Sequence, residues 1–279
     1  MTTPFSVLMA VYEKDDPENF RRALRSVSRD QTLRPDQIVI VRDGPVGPGL
    51  AAVLDEVRNG TAVDDVPADL VELPTNAGLA LALEAGLKAC VHDVIARADA
   101  DDISLPQRFA MMLPVFEERR LDLLGAAITE FADDETHTGV TRTLPTEPDD
   151  IARTARFRDP FNHPTVVYRR RAVVAAGGYQ HLNKMEDYWL FVRMIQDGAR
   201  VANLAEPLVL YRVGAGAYQR RGGTAMLRSE LALQWLMLRA GFTSPLDTVR
   251  NLATRGVYRL IPAPVRQRLY RTFIVRDKG

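Results

Sequence analysis

The sequence predicts an α/β protein whose mostly parallel sheet is covered by helices on both faces. Three observations predict it. Short apolar runs alternate with helical patterns from Phe5 to Ile128. The segments between runs are long enough for crossover helices, which parallel strands require. Polar residues collect at the ends of four runs, where open α/β sheets bind their ligands.

The elements follow in order. Phe5 to Val11 reads as a strand, and Pro17 to Ser28 as a helix with Pro17 in its first turn after Asp15-Asp16. Gln37 to Val41 is a dense β-branched run, hence a buried strand, ending in the turn Arg42-Asp43-Gly44-Pro45. Leu50 to Arg58 is helical, Leu70 to Leu73 a short strand, and Pro74 to Gly78 a turn into the helix Leu79 to Cys90. Val94 to Ala98 is a strand closed by Asp99-Ala100-Asp101-Asp102. A helix over Leu105 to Arg119 and a strand over Leu121 to Ile128 complete the pattern. Residues 133–160 are charged and turn-rich and read as a surface excursion. Strands follow at Thr165 to Tyr168, Val201 to Leu204 and Leu208 to Val213, with a helix over Met185 to Asp197. Three helical stretches are predicted from Thr224 onward. The expected division is 1–217 as the main domain, with halves 1–128 and 129–217, followed by a basic helical region, 218–279.

Composition narrows the function. The 279 residues carry 36 basic and 36 acidic side chains, a formal net charge of zero that is unevenly placed. Residues 218–279 hold 12 Lys and Arg against 3 Asp and Glu, so the rest is acidic by the same margin. A neutral total with a basic tail gives no footprint for nucleic acid, but it suits an anionic surface. The single cysteine, Cys90, forbids an intrachain disulfide and reads as a buried thiol, in keeping with a reducing compartment. The N-terminus lacks a signal peptide's basic lead, and no uncharged run reaches the ~18 residues that span a bilayer. A cytoplasmic location is expected. Neither G-x-G-x-x-G after the first strand nor G-x-x-x-x-G-K-[ST] is present, which disfavours a dehydrogenase or a P-loop kinase. Gly44, Gly47 and Gly49 alternate with Pro45 and Pro48 and read as a loop.

Two acidic constellations carry the chemistry. Asp99-Ala100-Asp101-Asp102 places three carboxylates at one strand end, where they repel unless a cation or hydrogen-bond donors neutralise them. Hard oxygen ligands suit Mg²⁺ or Mn²⁺, ions that also bind phosphate oxygens. A solvated turn with Asp102 or Ser104 capping the next helix is the alternative. Glu186-Asp187 begins a helix whose Met185, Trp189 and Val192 form a core-facing stripe. The helix dipole there favours an ionised carboxylate by about 0.3–1 kcal/mol, as a general base requires, although acidic first turns also serve only to stabilise helices.

In order and spacing, five segments resemble glycosyltransferase family 2, of the GT-A fold, and above all its bacterial polysaccharide-assembly members. They are Ser6 to Tyr12, Val39 to Gly44, Asn76 to Ala80, Asp99 to Asp102 and Glu186 to Tyr188, within a match over residues 4–215. The resemblance implies an inverting transfer of one sugar from a nucleotide sugar, with UDP the family's commonest nucleotide, to a glycan or lipid-linked glycan hydroxyl. It implies nucleoside contacts from Val11, Tyr12 and Glu13, a base contact from Asp43, and a loop at Asn76 and Gly78 closing over base and ribose. Asp99 and Asp101 match the D-x-D motif. Asp101 is the leading metal ligand, Asp102 supports it, and Asp99 also reaches the donor. Asp187 matches the catalytic base, with Glu186 the alternative, and His163 falls on the acceptor side or merely satisfies local backbone. Many relatives continue their last core strand as Tyr-Arg-x-His, whereas this chain reads Tyr211-Arg212-Val213-Gly214. Arg212, Arg220 or Arg221 then supplies positive charge to the diphosphate, or the loop is remodelled.

Two further readings stay open. A metal-dependent nucleotidyltransferase also joins such a sheet to carboxylates, although Tyr12 to Asp16 is too acidic for a triphosphate loop; a non-catalytic nucleotide-sugar-binding subunit is the other. The tail from Thr224, with Trp235, Leu236 and Leu238 among basic residues, reads either as helices packed on the core or as a peripheral contact with the inner face of the cell membrane.

Overall fold

The computed structural model describes residues 3–64, 66–132, 134–213 and 224–256. One nine-stranded sheet organises them. The strands are β1 (Phe5–Tyr12), β2 (Gln37–Asp43), β3 (Ala68–Leu73), β4 (Val94–Arg97), β5 (Ile103–Ser104), β6 (Leu123–Phe131), β7 (Thr138–Arg142), β8 (Val167–Arg169) and β9 (Val201–Arg212). Their spatial order is β3-β2-β1-β4-β8-β6-β9-β5, with β7 paired to β6. β1 to β4 pair in parallel, as do β6 and β9; β8 is antiparallel to both β4 and β6. The sheet is therefore mostly parallel, as the sequence predicts.

Alternation along the strands explains the two layers. Val7, Met9, Ile38 and Ile40 face one apolar cluster with Phe20, Val53 and Phe109, which belong to α1 (Pro17–Val27), α2 (Pro48–Arg58) and α4 (Arg108–Glu118). Leu8, Val39 and Val41 face the other with Leu83 and Leu190, from α3 (Leu79–Ala89) and α7 (Glu186–Gln196). Strands buried on both sides must read as continuous apolar runs, and β1 and β2 do. α3 lies so close to the sheet that a Cβ on Gly86 would sit 2.3 Å from Leu8 Cδ1. Asp16 caps α1, accepting from the amides of Glu18 and Asn19, a contribution of about 1 kcal/mol.

The structure corrects several expectations. Residues 133–160 are not a bare excursion: they hold β7 and α5 (Pro148–Ala155). The two strands predicted at Val201 to Leu204 and Leu208 to Val213 are one, β9, whose register shifts around Pro207, where proline has no ladder N–H to give. β5 and α6 (Arg170–Ala175) are too short to show a period. The Pro48-Gly49 pair opens α2, because proline suits a first helical turn. Of the tail, α8 (Thr224–Arg239) and α9 (Pro245–Asn251) are described; the third predicted stretch lies outside the described residues, as do Arg220 and Arg221. α8 packs Leu233 and Met237 against Leu182, Met185 and Trp189. Cys90 is 1% exposed and its thiol is pushed up to about 12 by burial, so it is inert.

Candidate active site

A cleft of about 350 Å³ opens at the carboxyl ends of the parallel strands. Its floor comes from Val11 and Tyr12 at the end of β1 and Asp43 at the end of β2. One wall is Asn76, Gly78 and the start of α3, another is Asp99 to Asp101 beyond β4, and His181, Asn183, Lys184 and Glu186 close the opposite side. Five chain segments distant in sequence thus meet where the topology requires.

Asp43 builds the first wall. Only 5% exposed, it accepts the amides of Ala77 at 2.6 Å and Gly78 at 3.0 Å, so its carboxylate fastens the loop to the sheet. Gly44 has φ +84, and a Cβ there would lie 2.5 Å from Asn76 N; only glycine lets the two loops approach.

The acidic turn is braced from both sides. Asp99 pairs with Arg97, whose side chain is 1% exposed within the core. Asp102 Oδ1 accepts the Arg212 amide at 2.8 Å, joining the turn to the end of β9. Arg212 Nε donates to the Asp101 carbonyl at 3.0 Å, and its guanidinium lies 4.4 Å from the Phe131 ring centroid. Arg212, read from the sequence as a diphosphate contact, is not among the cleft-lining residues and here holds the turn in place. Asp102 does not cap α4, whose N-cap is Gln107. Its Oδ2 is buried without a hydrogen-bond partner. Burial, then repulsion from Asp99, lifts Asp101 to about 6, and burial lifts Asp102 well above the carboxylate range. An added oxygen-seeking cation would offset that cost. Among the described residues no three acidic, His or Cys side chains form a complete ligand cage. The set instead fits an ion held by one or two carboxylates and completed by phosphate oxygens and water.

Asp15 is a cleft residue that sequence reasoning missed. It accepts the Tyr12 amide at 2.9 Å and is raised to about 7, first by burial and then by Asp101 and Asp99. Glu13, expected at this place, is exposed and does not line the cleft. The turn reverses between them, which no local pattern signals.

At α7, Glu186 lines the cleft, whereas Asp187, its neighbour in the chain and 23% exposed, is not among the cleft-lining residues. Asp187 accepts the Tyr188 amide at 2.8 Å. Burial, then repulsion from Glu186, raises it to about 7, so burial overrides the dipole that the sequence reading invoked. Asp159, also unforeseen, shares this environment, raised by burial and by Asp187. His163 is 8% exposed, with Nε2 2.9 Å from Tyr179 Oη and Nδ1 3.7 Å from Asp187 Oδ2. Burial, then Arg97, holds its pKa well below the usual range, so it stands neutral behind Asp187. The opposing wall at His181 to Lys184 gave no motif. Lys184 there has φ +60, uncommon for a side-chain-bearing residue and concentrated at functional turns.

A mostly parallel sheet with a cleft at the carboxyl ends of its parallel strands and an acidic turn after its fourth strand is the architecture expected of a GT-A glycosyltransferase. A sequence model described as glycosyl transferase family 2 matches residues 6–178, and the chain belongs to that family. It is 40% identical over 267 residues to the amylovoran biosynthesis glycosyltransferase AmsE of Erwinia amylovora, covering 95% of this chain and 97% of that one. It is 34% identical over 276 residues to the Escherichia coli UDP-Gal:alpha-D-GlcNAc-diphosphoundecaprenol beta-1,3-galactosyltransferase, covering 99% and 98%. Among solved structures, S. aureus TarS 1-349 in complex with UDP-GlcNAc superposes with TM-score 0.65 at 15% identity, over 97% of this chain and 73% of that one. The chain spans 44% of the longer TarS structure. The mannosyltransferase PcManGT of Pyrobaculum calidifontis, in complex with GDP-Man and Mn²⁺, gives TM-score 0.62 at 14% identity, over 100% and 77%. The chain is thus a glycosyltransferase of the bacterial polysaccharide-assembly type. The nucleotidyltransferase and binding-subunit readings are set aside.

Proposed function

We propose that the enzyme moves one sugar from a UDP-sugar to a hydroxyl of a lipid-linked glycan, with inversion at the anomeric carbon. One observation supports the reading: Asp43, Asp99, Asp101 and Glu186, the residues read as contacts of the nucleotide, the diphosphate and the acceptor, line a single cleft. The names of the relatives support the donor and acceptor classes, through UDP-Gal and diphosphoundecaprenol in one and UDP-GlcNAc in another.

The loop held by Asp43, with Val11, Tyr12, Asn76 and Gly78, receives the nucleoside. Asp101, with Asp99 and Asp102 in support, would hold Mg²⁺ or Mn²⁺, which when bound supplies Lewis-acid stabilisation of the departing diphosphate. Lys184, on the opposing wall, supplies positive charge toward the same phosphates, the role the sequence reading gave to Arg212, Arg220 or Arg221, and the His181 ring offers a hydrogen-bonding nitrogen beside it. Asp187 takes the proton of the acceptor hydroxyl, and Glu186 orients that hydroxyl at the cleft wall. The hydroxyl oxygen forms its bond to the anomeric carbon as the bond to the nucleoside diphosphate breaks on the opposite face, so configuration inverts. Neutral His163 packs behind Asp187 and limits its movement.

The test is a panel of nucleotide sugars with Mn²⁺, read by thermal shift and then by release of nucleoside diphosphate with a lipid-diphosphate acceptor. UDP-sugars are expected to raise the melting temperature and to yield UDP and an inverted linkage. A retained anomeric configuration, or no response to any UDP-sugar, overturns the proposal.

A further inference from the structure

We propose that the outer face of α8 docks on an anionic lipid surface and holds the acceptor side of the cleft at headgroup level. The inner face of this helix is settled: Leu233 and Met237 are wholly buried. The outer face is apolar as well. Leu231 is 47% exposed, Trp235 54% and Leu238 36%, and the spacing places them on one stripe. Exposed Arg228 and Arg239 extend that stripe at either end, and the Arg239 guanidinium lies 5.1 Å from the Trp235 ring centroid. Single exposed apolar residues are ordinary; an apolar stripe bounded by arginines on a helix otherwise packed is the pattern of an interfacial helix.

Charge selects the occupant. The acidic residue of α8, Glu230, is buried and pairs with Arg255 at 3.3 Å, so the charged side chains on the exposed face are basic. The whole region 218–279 has 12 basic residues against 3 acidic, whereas the rest of the chain is acidic. A second copy of the chain would bring like charges together across a symmetric contact, whereas an anionic lipid surface is complementary and would also repel the acidic body. Geometry gives the docking a purpose. The inner face of α8 packs on Met185 and Trp189, which flank Glu186 and Asp187 at the start of α7. One helix, about 10 Å thick, then separates the bilayer surface from the acceptor wall. That purpose rests on the lipid-linked acceptor proposed above; the docking itself needs no acceptor.

The test is flotation of the full-length protein with vesicles of phosphatidylcholine alone or with phosphatidylglycerol at about 7:3. Wild type is expected to float with the mixed vesicles, less so at high salt, and to stay behind with the neutral ones. Leu231→Glu combined with Trp235→Glu, and separately Arg228→Ser combined with Arg239→Ser, should each lower the bound fraction about tenfold, with melting temperature and transfer to a water-soluble acceptor unchanged. The proposal is overturned if wild type ignores anionic vesicles or if both variants float like wild type. It is also overturned if the glutamate variant abolishes a concentration-dependent dimer while neither wild type nor variant binds vesicles. Loss of docking with transfer intact refutes this inference alone; absence of transfer with every nucleotide sugar refutes the function proposed above.

Discussion

Replacing Asp187 by Asn tests the base and its surroundings together. Burial and the neighbouring Glu186 raise this carboxyl from 3.8 to about 7, with Asp159 on the same side and Arg97 opposing. A base must be ionised to accept a proton, so kcat/KM should climb about tenfold per pH unit below 7 and level off above it. An ordinary carboxylate would leave the rate flat there. Asn at this position should cost about 10²- to 10⁴-fold in kcat and leave donor affinity nearly intact. Stability moves the other way. Because the folded pKa is raised, the group's contribution to stability is whole below about pH 4 and is lost as the pH rises through about 7. Asn removes that loss, which has a ceiling of about 4 kcal/mol and is shared with Glu186 and Asp159. Each 1 kcal/mol shifts the melting temperature of a chain this size by about 2–4 °C, so the variant should melt several degrees higher at pH 8. The assay is UDP release from pH 5.5 to 9 beside thermal melts at the same pH values. A rate flat between pH 6 and 8, or a variant within tenfold of wild type, refutes the reasoning.

Other predictions use the same cleft. Glu186→Gln removes the repulsion on Asp187 and should move the acidic limb of the pH profile to lower pH while turnover persists. Asp101→Asn should abolish transfer and remove the Mn²⁺ dependence of UDP binding measured calorimetrically. Asp43→Ala strips an acceptor from two loop amides and should cost roughly 2–4 kcal/mol in denaturant unfolding, together with weaker donor binding. Gly44→Ala must shift Asn76 and strain a left-handed backbone, at about 1–3 kcal/mol, raising the donor KM more than it lowers kcat.

The fold was legible where burial is continuous. β1 and β2 are buried on both faces, so their composition alone marks them, and α1 between them carries a clear cap and period. β5, two residues long, and β7, whose residues are exposed or half-buried, offered no such pattern. In the site, Asp43, Asn76, Asp99 and Asp101 stood at strand ends and were readable from position. Asp15, Lys184 and Asp159 were not, because chain reversal, not local spacing, brings them to the cleft and its base. Arg97 did leave a trace: it is a charged residue in an otherwise apolar four-residue strand, directly before the acidic turn it braces. The expectation of an easily ionised Asp187 followed the helix dipole and missed burial, the larger effect and one that a sequence does not display.

The claim underlying the proposed chemistry is that a cation at the acidic turn carries the diphosphate. Anomalous diffraction from crystals grown with UDP and Mn²⁺ tests it most directly. A manganese peak is expected beside Asp101, joined to the phosphates, with uracil against the loop held by Asp43. Manganese and phosphates bound together at a distance from Asp101 would contradict it.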